Sequence, residues 1–360
     1  MALTTVRPEG LGFVNGRRNL IINGAMNVAQ RATSVTGQGG NAGYTTVDRF
    51  KHNASNTAGR FTISQTAVTD LPGFANCLKL DCTTADTSIA SGEVFIIQTR
   101  FEGQNLQQLK KGTSSAEPIT LSFYVKGNAA ATYTAEFNDQ DNGRFNSQEF
   151  SVTTSWNRIS LTFTGDTTGA FGDDNASSAQ LNFWLHAGSE YTGGSHTDNV
   201  WHSTANQRVG DNQTSFFDST DREFFITGVQ LEIGEVATPF EHRSFAEELA
   251  LCKRYYYQAV QGSYLIVGMN DTTSNCETSF GLPVEMRADP SLSTSGTASE
   301  YSIRQNGSNN ACTSVPSILS GGGKNVVSIR FTASSALNTS FASYCFGNTS
   351  GADLKLDAEL

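Results

Sequence analysis

The chain reads as an all-β protein: a jelly-roll-type β-sandwich, then a short linker helix and a smaller C-terminal β-domain. Three observations lead there. Apolar residues recur with period two over many short runs, the mark of antiparallel strands with one buried face. Glycine (34 residues), Ser, Thr and Asn separate those runs, while aromatics at 10% supply a core. Around residue 245 the period switches once to that of a helix and then returns to two.

The strands follow in order. In CLKLDC, Leu78, Leu80 and Cys82 share a face, with Cys77 on the other. VFIIQTRF is apolar on both faces and is expected in the middle of a sheet. EGQNLQQLKKG is the only helix-like piece in this region, one or two turns long. ITLSFYVKG aligns Ile119, Leu121, Phe123 and Val125; NRISLTFTG aligns Ile159, Leu161 and Phe163; AQLNFWLHA aligns Leu181, Phe183 and Leu185. FFITGVQLEI is read as the last core strand, with Phe225, Val229, Leu231 and Ile233 inward and Gly228 marking a bulge.

Pro239 then stops pairing, and Ser244 with Glu247 forms a capping box. Phe245, Leu249, Cys252 and Tyr256 make one helical stripe over about a dozen residues, with Lys253 and Arg254 in the last turn. Tyr255 and Tyr257 are expected between domains or subunits, and stripe plus tyrosines suggest a homotrimer. Beyond 257, SYLIVGM, FGLPVEM (Phe280, Leu282, Val284, Met286), NVVSIRFTA (Val327, Ile329, Phe331), FASYCFG and DLKLDAEL suggest about six strands. The expected division is an N-terminal arm over 1–19, the sandwich over 20–240, a linker helix over 241–257 and the small β-domain over 258–360.

Composition narrows function. The net charge of −10 and the lack of a long Lys/Arg cluster speak against nucleic-acid binding. No apolar run is long enough to span a membrane, and the N-terminus lacks the apolar core of a signal peptide. The six cysteines match no zinc spacing and are expected to be reduced and buried. No nucleophile elbow is present, and SILSGGGKN lacks the spacing of a phosphate loop. Asp139/Asp141 and Asp173/Asp174 sit in turn-forming sequences; as glycosidase carboxylates they are disfavoured, and a structural calcium at one of them is left open. His196, Asp198 and His202 match no recognised metal pattern, so any metal is unknown.

The better signal lies in the long segment SEYTGGSHTDNVWHSTANQRVGDNQTSFFDSTD, either a functional loop or one hiding strands. Tyr191, His196, Asn199, Trp201 and His202 combine aromatic faces with amide and imidazole groups, the chemistry that stacks and hydrogen-bonds a sugar. The competing reading has Trp201 packing the loop onto the sandwich.

Taken in order, NLIINGAMNVAQR, VDRF, GVQLEIGEVATPFEHRSFAEELALCKRYY, GLPVEMRADP and the terminal LDAEL resemble bacteriophage tail-fibre and receptor-binding proteins with a carbohydrate-binding-module-like sandwich. The resemblance implies a non-enzymatic virion protein, a homotrimer made in the host cytoplasm, that binds host-surface polysaccharide. It also implies attachment to other virion proteins through residues 1–19, where Arg7, Arg17 and Arg18 lie. The alternative is a structural virion component, a capsid decoration or tail adaptor, with no ligand of its own.

Overall fold

The computed structural model describes residues 17–260, 266–294, 296–320, 322–334, 337–349 and 351–360. It divides into two compact units, one ending at Glu248 and including Leu360, the other spanning Leu249–Glu359.

The first unit contains β1 (Ser34–Gln38), β2 (Ala42–Gly43), β3 (Lys51–Ser55), β4 (Arg60–Ala67), β5 (Asn76–Thr84), β6 (Val94–Glu102), β7 (Ile119–Gly127), β8 (Ala131–Asp139), β9 (Arg144–Val152), β10 (Asn157–Phe163), β11 (Ser177–Ala187) and β12 (Glu223–Ile233). They form two six-stranded sheets, ordered β1-β4-β5-β12-β7-β10 and β2-β3-β6-β11-β8-β9, and every pairing is antiparallel. Strands distant in sequence lie side by side, as in a jelly roll. β6 lies inside the second sheet, where its two apolar faces place it. The helix-like EGQNLQQLKKG forms two 3-10 turns, Gly103–Asn105 and Gln107–Leu109.

One core fills the space between the sheets. Phe123 of β7 meets Phe183 of β11 across it, edge to face at 5.1 Å, and Phe150 of β9 at 5.0 Å. The alternating residues expected inward on β7 and β11 are all buried there.

β12 departs from the expected pattern. Phe224 and Ile226 are buried in the core, whereas Phe225 is half-buried on the outer face and Ile233 is 37% exposed. Its register against β7 shifts between Thr227 and Gln230, and Gly228 sits at φ +61°. The bulge adds one residue, so the inward parity changes from even before it to odd at Val229 and Leu231.

The helix α1 runs Phe245–Lys253, shorter than the expected dozen, with the Ser244 hydroxyl accepting from the Glu247 N–H at 3.3 Å. Phe245 is 59% exposed, so the buried stripe does not begin with it. Tyr256 is buried but opens a strand. The unit boundary falls inside this helix.

The second unit contains β13 (Tyr256–Val260), β14 (Ile266–Asn270), β15 (Asn275–Gly281), β16 (Ser291–Thr294), β17 (Tyr301–Gln305), β18 (Ser308–Ala311), β19 (Ser317–Ile318), β20 (Val326–Thr332), β21 (Ala342–Gly347) and β22 (Leu354–Asp357), more than the six expected. They make a three-stranded sheet, β13-β22-β16, and a seven-stranded sheet, β18-β17-β21-β14-β15-β20-β19. β15 ends at Gly281, so Leu282, Val284 and Met286 lie beyond it; Pro283 has no N–H to continue a ladder. Residues 263–265 of SYLIVGM lie outside the described residues. Tyr257 packs against this unit's own core.

Candidate functional site

The long segment 188–222 is an ordered strap, with a helical turn at Ser189–Thr192 and a 3-10 turn at Ala205–Gln207. Residues 199–202 pair with the edge strand β9: the Asn199 N–H donates to the Ser147 carbonyl at 3.0 Å, and Phe145 and His202 exchange backbone hydrogen bonds. Alternation along this edge sends its side chains to opposite sides.

Asn199 and Trp201 turn toward the core side. The Asn199 amide oxygen accepts from the Thr164 N–H at 2.8 Å, and Trp201 Nε1 donates to the Thr164 carbonyl at 2.7 Å while its ring meets Phe137 edge-on at 6.2 Å. His202 goes the other way, beside Phe145 at 5.9 Å, and burial lowers its pKa. Tyr191 packs on Trp184 at 5.0 Å, and both ring nitrogens of His196 face oxygen acceptors, Gln207 O at 3.0 Å and Asp198 Oδ1 at 2.9 Å. The five loop residues therefore do not converge on one surface. Trp201 packs against the core.

Beyond that edge the strap crosses the outer face of the second sheet. Arg208 forms a bidentate pair with the buried Glu136 (2.7 and 2.8 Å), and its guanidinium lies 4.1 Å from the Phe145 ring centroid and 4.9 Å from that of Trp184. Val209 is fully buried with Val94, Ile96 and Trp184. This face is thus occupied by the chain's own strap.

The outer face of the first sheet is different, and the bulge at Gly228 shapes it. Phe225 turns outward, paired with Lys126 on one side and Lys79 on the other. Trp156, just before β10, meets Phe225 at 6.4 Å. Lys126 Nζ lies 5.0 Å from the Trp156 ring and 5.1 Å from Phe225. Asp70 accepts from Trp156 Nε1 at 2.8 Å and from Lys126 at 2.6 Å, and these hydrogen bonds hold its carboxyl below the usual carboxylate range. Two residues along β7, Tyr124 packs on Phe74 at 5.1 Å; Phe74 continues to Phe240 (5.2 Å) and His242 (5.4 Å). Trp156, Phe225, Tyr124, Phe74 and Phe240 are all half-buried, and His242 is exposed.

The result is a run of half-buried aromatic surface with Lys79 and Lys126 over the Phe225 ring and Asp70 at Trp156: apolar area to stack a ring and charged groups to hydrogen-bond its substituents. Sequence reasoning missed this face because it assigned Phe225 to the core. The signal was Gly228 itself, whose bulge reverses the parity.

Arg17 and Arg18 are engaged within the first unit, Arg17 with Glu247 at 2.8 Å and Arg18 with the Thr238 hydroxyl at 2.6 Å. Arg7 lies outside the described residues. Asp141 and Asp174 each accept a nearby backbone N–H, from Gly172 and Ala176 at 2.9 Å. Among the described residues no group of three or more His, Cys, Asp or Glu side chains is placed to hold a metal, and all six cysteines are buried. No helix among them is long and apolar enough to cross a membrane.

These features define a two-sheet β-sandwich with an accessible aromatic face, followed by a second β unit. No family model and no curated protein matches the chain. Among solved structures, it is similar to a family 4 carbohydrate-binding module (TM-score 0.30, 11% identity, 59% of this chain and 97% of that one). It is similar to a family 61 carbohydrate-binding module in complex with β-1,4-galactotriose (TM-score 0.31, 9% identity, 60% and 99%). It is also similar to the enzymatically active domain of tailspike protein 4 of bacteriophage CBA120 (TM-score 0.29, 12% identity, 60% of this chain but 21% of that one). At these scores the alignments are likenesses in outline.

Proposed function

We propose that the chain is a non-catalytic adhesin of a bacteriophage virion, a tail fibre or its tip, that binds host-surface glycan on the outer face of the first sheet. One observation carries the binding reading: the bulge at Gly228 places Phe225 beside Trp156, with the Lys126 ammonium over both rings and Asp70 accepting from Trp156 Nε1. Aromatics of this kind offer apolar area with little entropy to lose, and the charged neighbours supply hydrogen bonds to hydroxyls. The virion part rests on the resemblance of the ordered motifs to those of phage fibre proteins. Assembly as a homotrimer is part of the proposal, since several weak sites then act together.

The test is a glycan array probed with the wild-type protein and the Trp156→Ala and Phe225→Ala variants. Binding that disappears in both, with unchanged circular dichroism, supports the reading. Full retention in both overturns it. Release of reducing ends from a bound polysaccharide would overturn the non-catalytic part, and a monomer by light scattering the trimer.

A second reading, a structural virion component without a ligand, is favoured by the second unit. β14 and β21 expose Val267 (61%), Met269 (61%) and Tyr344 (49%), with Phe341 (52%) beside them. An array blank for the wild-type protein would favour it.

A further inference from the structure

Lys111 is buried, its side chain 4% exposed, where the loop after Gln107–Leu109 passes under Trp201. Four oxygens converge on its Nζ: Asp139 Oδ2 at 2.6 Å, Asp166 Oδ2 at 3.1 Å, and the carbonyls of Thr168 and Gly169 at 2.6 and 2.8 Å. The rings of Phe171 and Trp201 flank the ammonium at 5.3 and 5.6 Å. An ammonium has three protons, so four acceptors exceed what it can satisfy one to one.

Groups other than Lys111 hold the cage open. The Asp139 carboxylate accepts from the Asn142 backbone N–H at 3.1 Å and from Asn142 Nδ2 at 2.9 Å. The Asp166 carboxylate accepts from Arg144 Nε at 2.7 Å and from the Thr168 N–H at 3.1 Å. Two carboxylates and two carbonyls are oxygens of the hard type calcium takes, four of its usual six to eight with water to supply the rest, and the cage offers no nitrogen or sulfur that would favour zinc. Charge balances too: Asp139 and Asp166 stand against Lys111 and Arg144.

We propose that this is a cation site whose resident ion is the chain's own ammonium, and that shortening Lys111 converts it into a calcium site. In the native protein the side chain ties β8 to the loop after β10. Calcium suits the vacancy better than magnesium, which demands near-octahedral geometry at shorter distances.

Thermal melting of the full chain tests this, comparing wild type, Lys111→Ala and Lys111→Ala/Asp139→Asn in EDTA, CaCl2 and MgCl2. The wild-type Tm is expected to be the same in EDTA and in calcium. Lys111→Ala should melt roughly 10 °C lower in EDTA, since it leaves the buried Asp139 without its charged partner, and regain at least half of that loss in millimolar calcium. The double variant should regain none. No recovery of Lys111→Ala in calcium, equal recovery in magnesium, or equal recovery of the double variant overturns the proposal. Should Lys111→Ala not fold in EDTA, soluble yield becomes the readout: yield restored by calcium supports the site, and no yield in either condition overturns it.

Discussion

The Phe74 ring lies directly over Gly228: a Cβ at residue 228 would stand 2.7 Å from Phe74 Cζ, and 2.9 Å from the Tyr124 ring. The same glycine holds φ +61°, where a side chain is strained whatever the space. The aromatic face of the first sheet and the parity of its central strand therefore rest on one backbone position.

Gly228→Ala should destabilise the first unit by about 2 kcal/mol and displace Phe74 and Tyr124. Denaturant unfolding followed by tryptophan fluorescence measures the loss. A wild-type midpoint would contradict the steric argument.

Trp156→Ala and Trp201→Ala should separate binding from stability. Trp201 packs on the core and donates to Thr164, so its loss should cost about 3 kcal/mol. Trp156 lies on the outer face, and its loss should cost under about 1 kcal/mol while removing glycan binding. Paired melting curves and array signals on the two variants check both halves.

Stability should fall as pH drops from 6.5 toward 4. Burial, aided by the Lys51 charge, lowers the His52 pKa to about 4, while the unfolded imidazole titrates near 6.5. Between those values the unfolded chain takes up a proton that the folded one refuses, a loss of roughly 3 kcal/mol at the acid end. His202, also lowered by burial, acts in the same sense. Denaturant midpoints at pH 7 and 4.5 measure the slope, and His52→Gln should flatten it.

The thiols should be silent in the folded protein because all six are buried, Cys276 included, although its hydrogen bond with Cys345 lowers its pKa. Burial pushes Cys77 and Cys312 up to about 12 and Cys82 up to about 11, so none of these is a thiolate at pH 8. Ellman's reagent should release nothing quickly from native protein and six equivalents after unfolding, one for each cysteine.

Much of the sandwich was legible because many of its strands turn one apolar face to the core, which writes period two into the chain; β6 and β11, buried on both faces, are exceptions. Ile119, Leu121, Phe123 and Val125 are inward as that period demands. The period cannot be carried through an inserted residue, which is why Phe225 was placed inside and the aromatic face overlooked. The strap was harder still. Trp201 and His202 are adjacent in sequence yet face opposite ways, and nothing local to TDNVWHST announces that it borrows hydrogen bonds from Ser147 and Phe145 of a distant strand. Tyrosine, histidine and tryptophan suit a sugar and suit packing equally well; only their neighbours decide.

The start and the finish of the sandwich are clasped at one corner. The Asn19 N–H donates to Glu241 at 2.7 Å, Arg243 reaches the carbonyls of Ile21 and Asn19, and the Asn23 N–H meets Glu248. A stretch whose two ends already touch can be spliced into a surface turn of an unrelated carrier with only a few spacer residues on each side, and the host need not be prised apart to receive it. The first unit is in that sense a cassette, portable between scaffolds with its aromatic face unchanged.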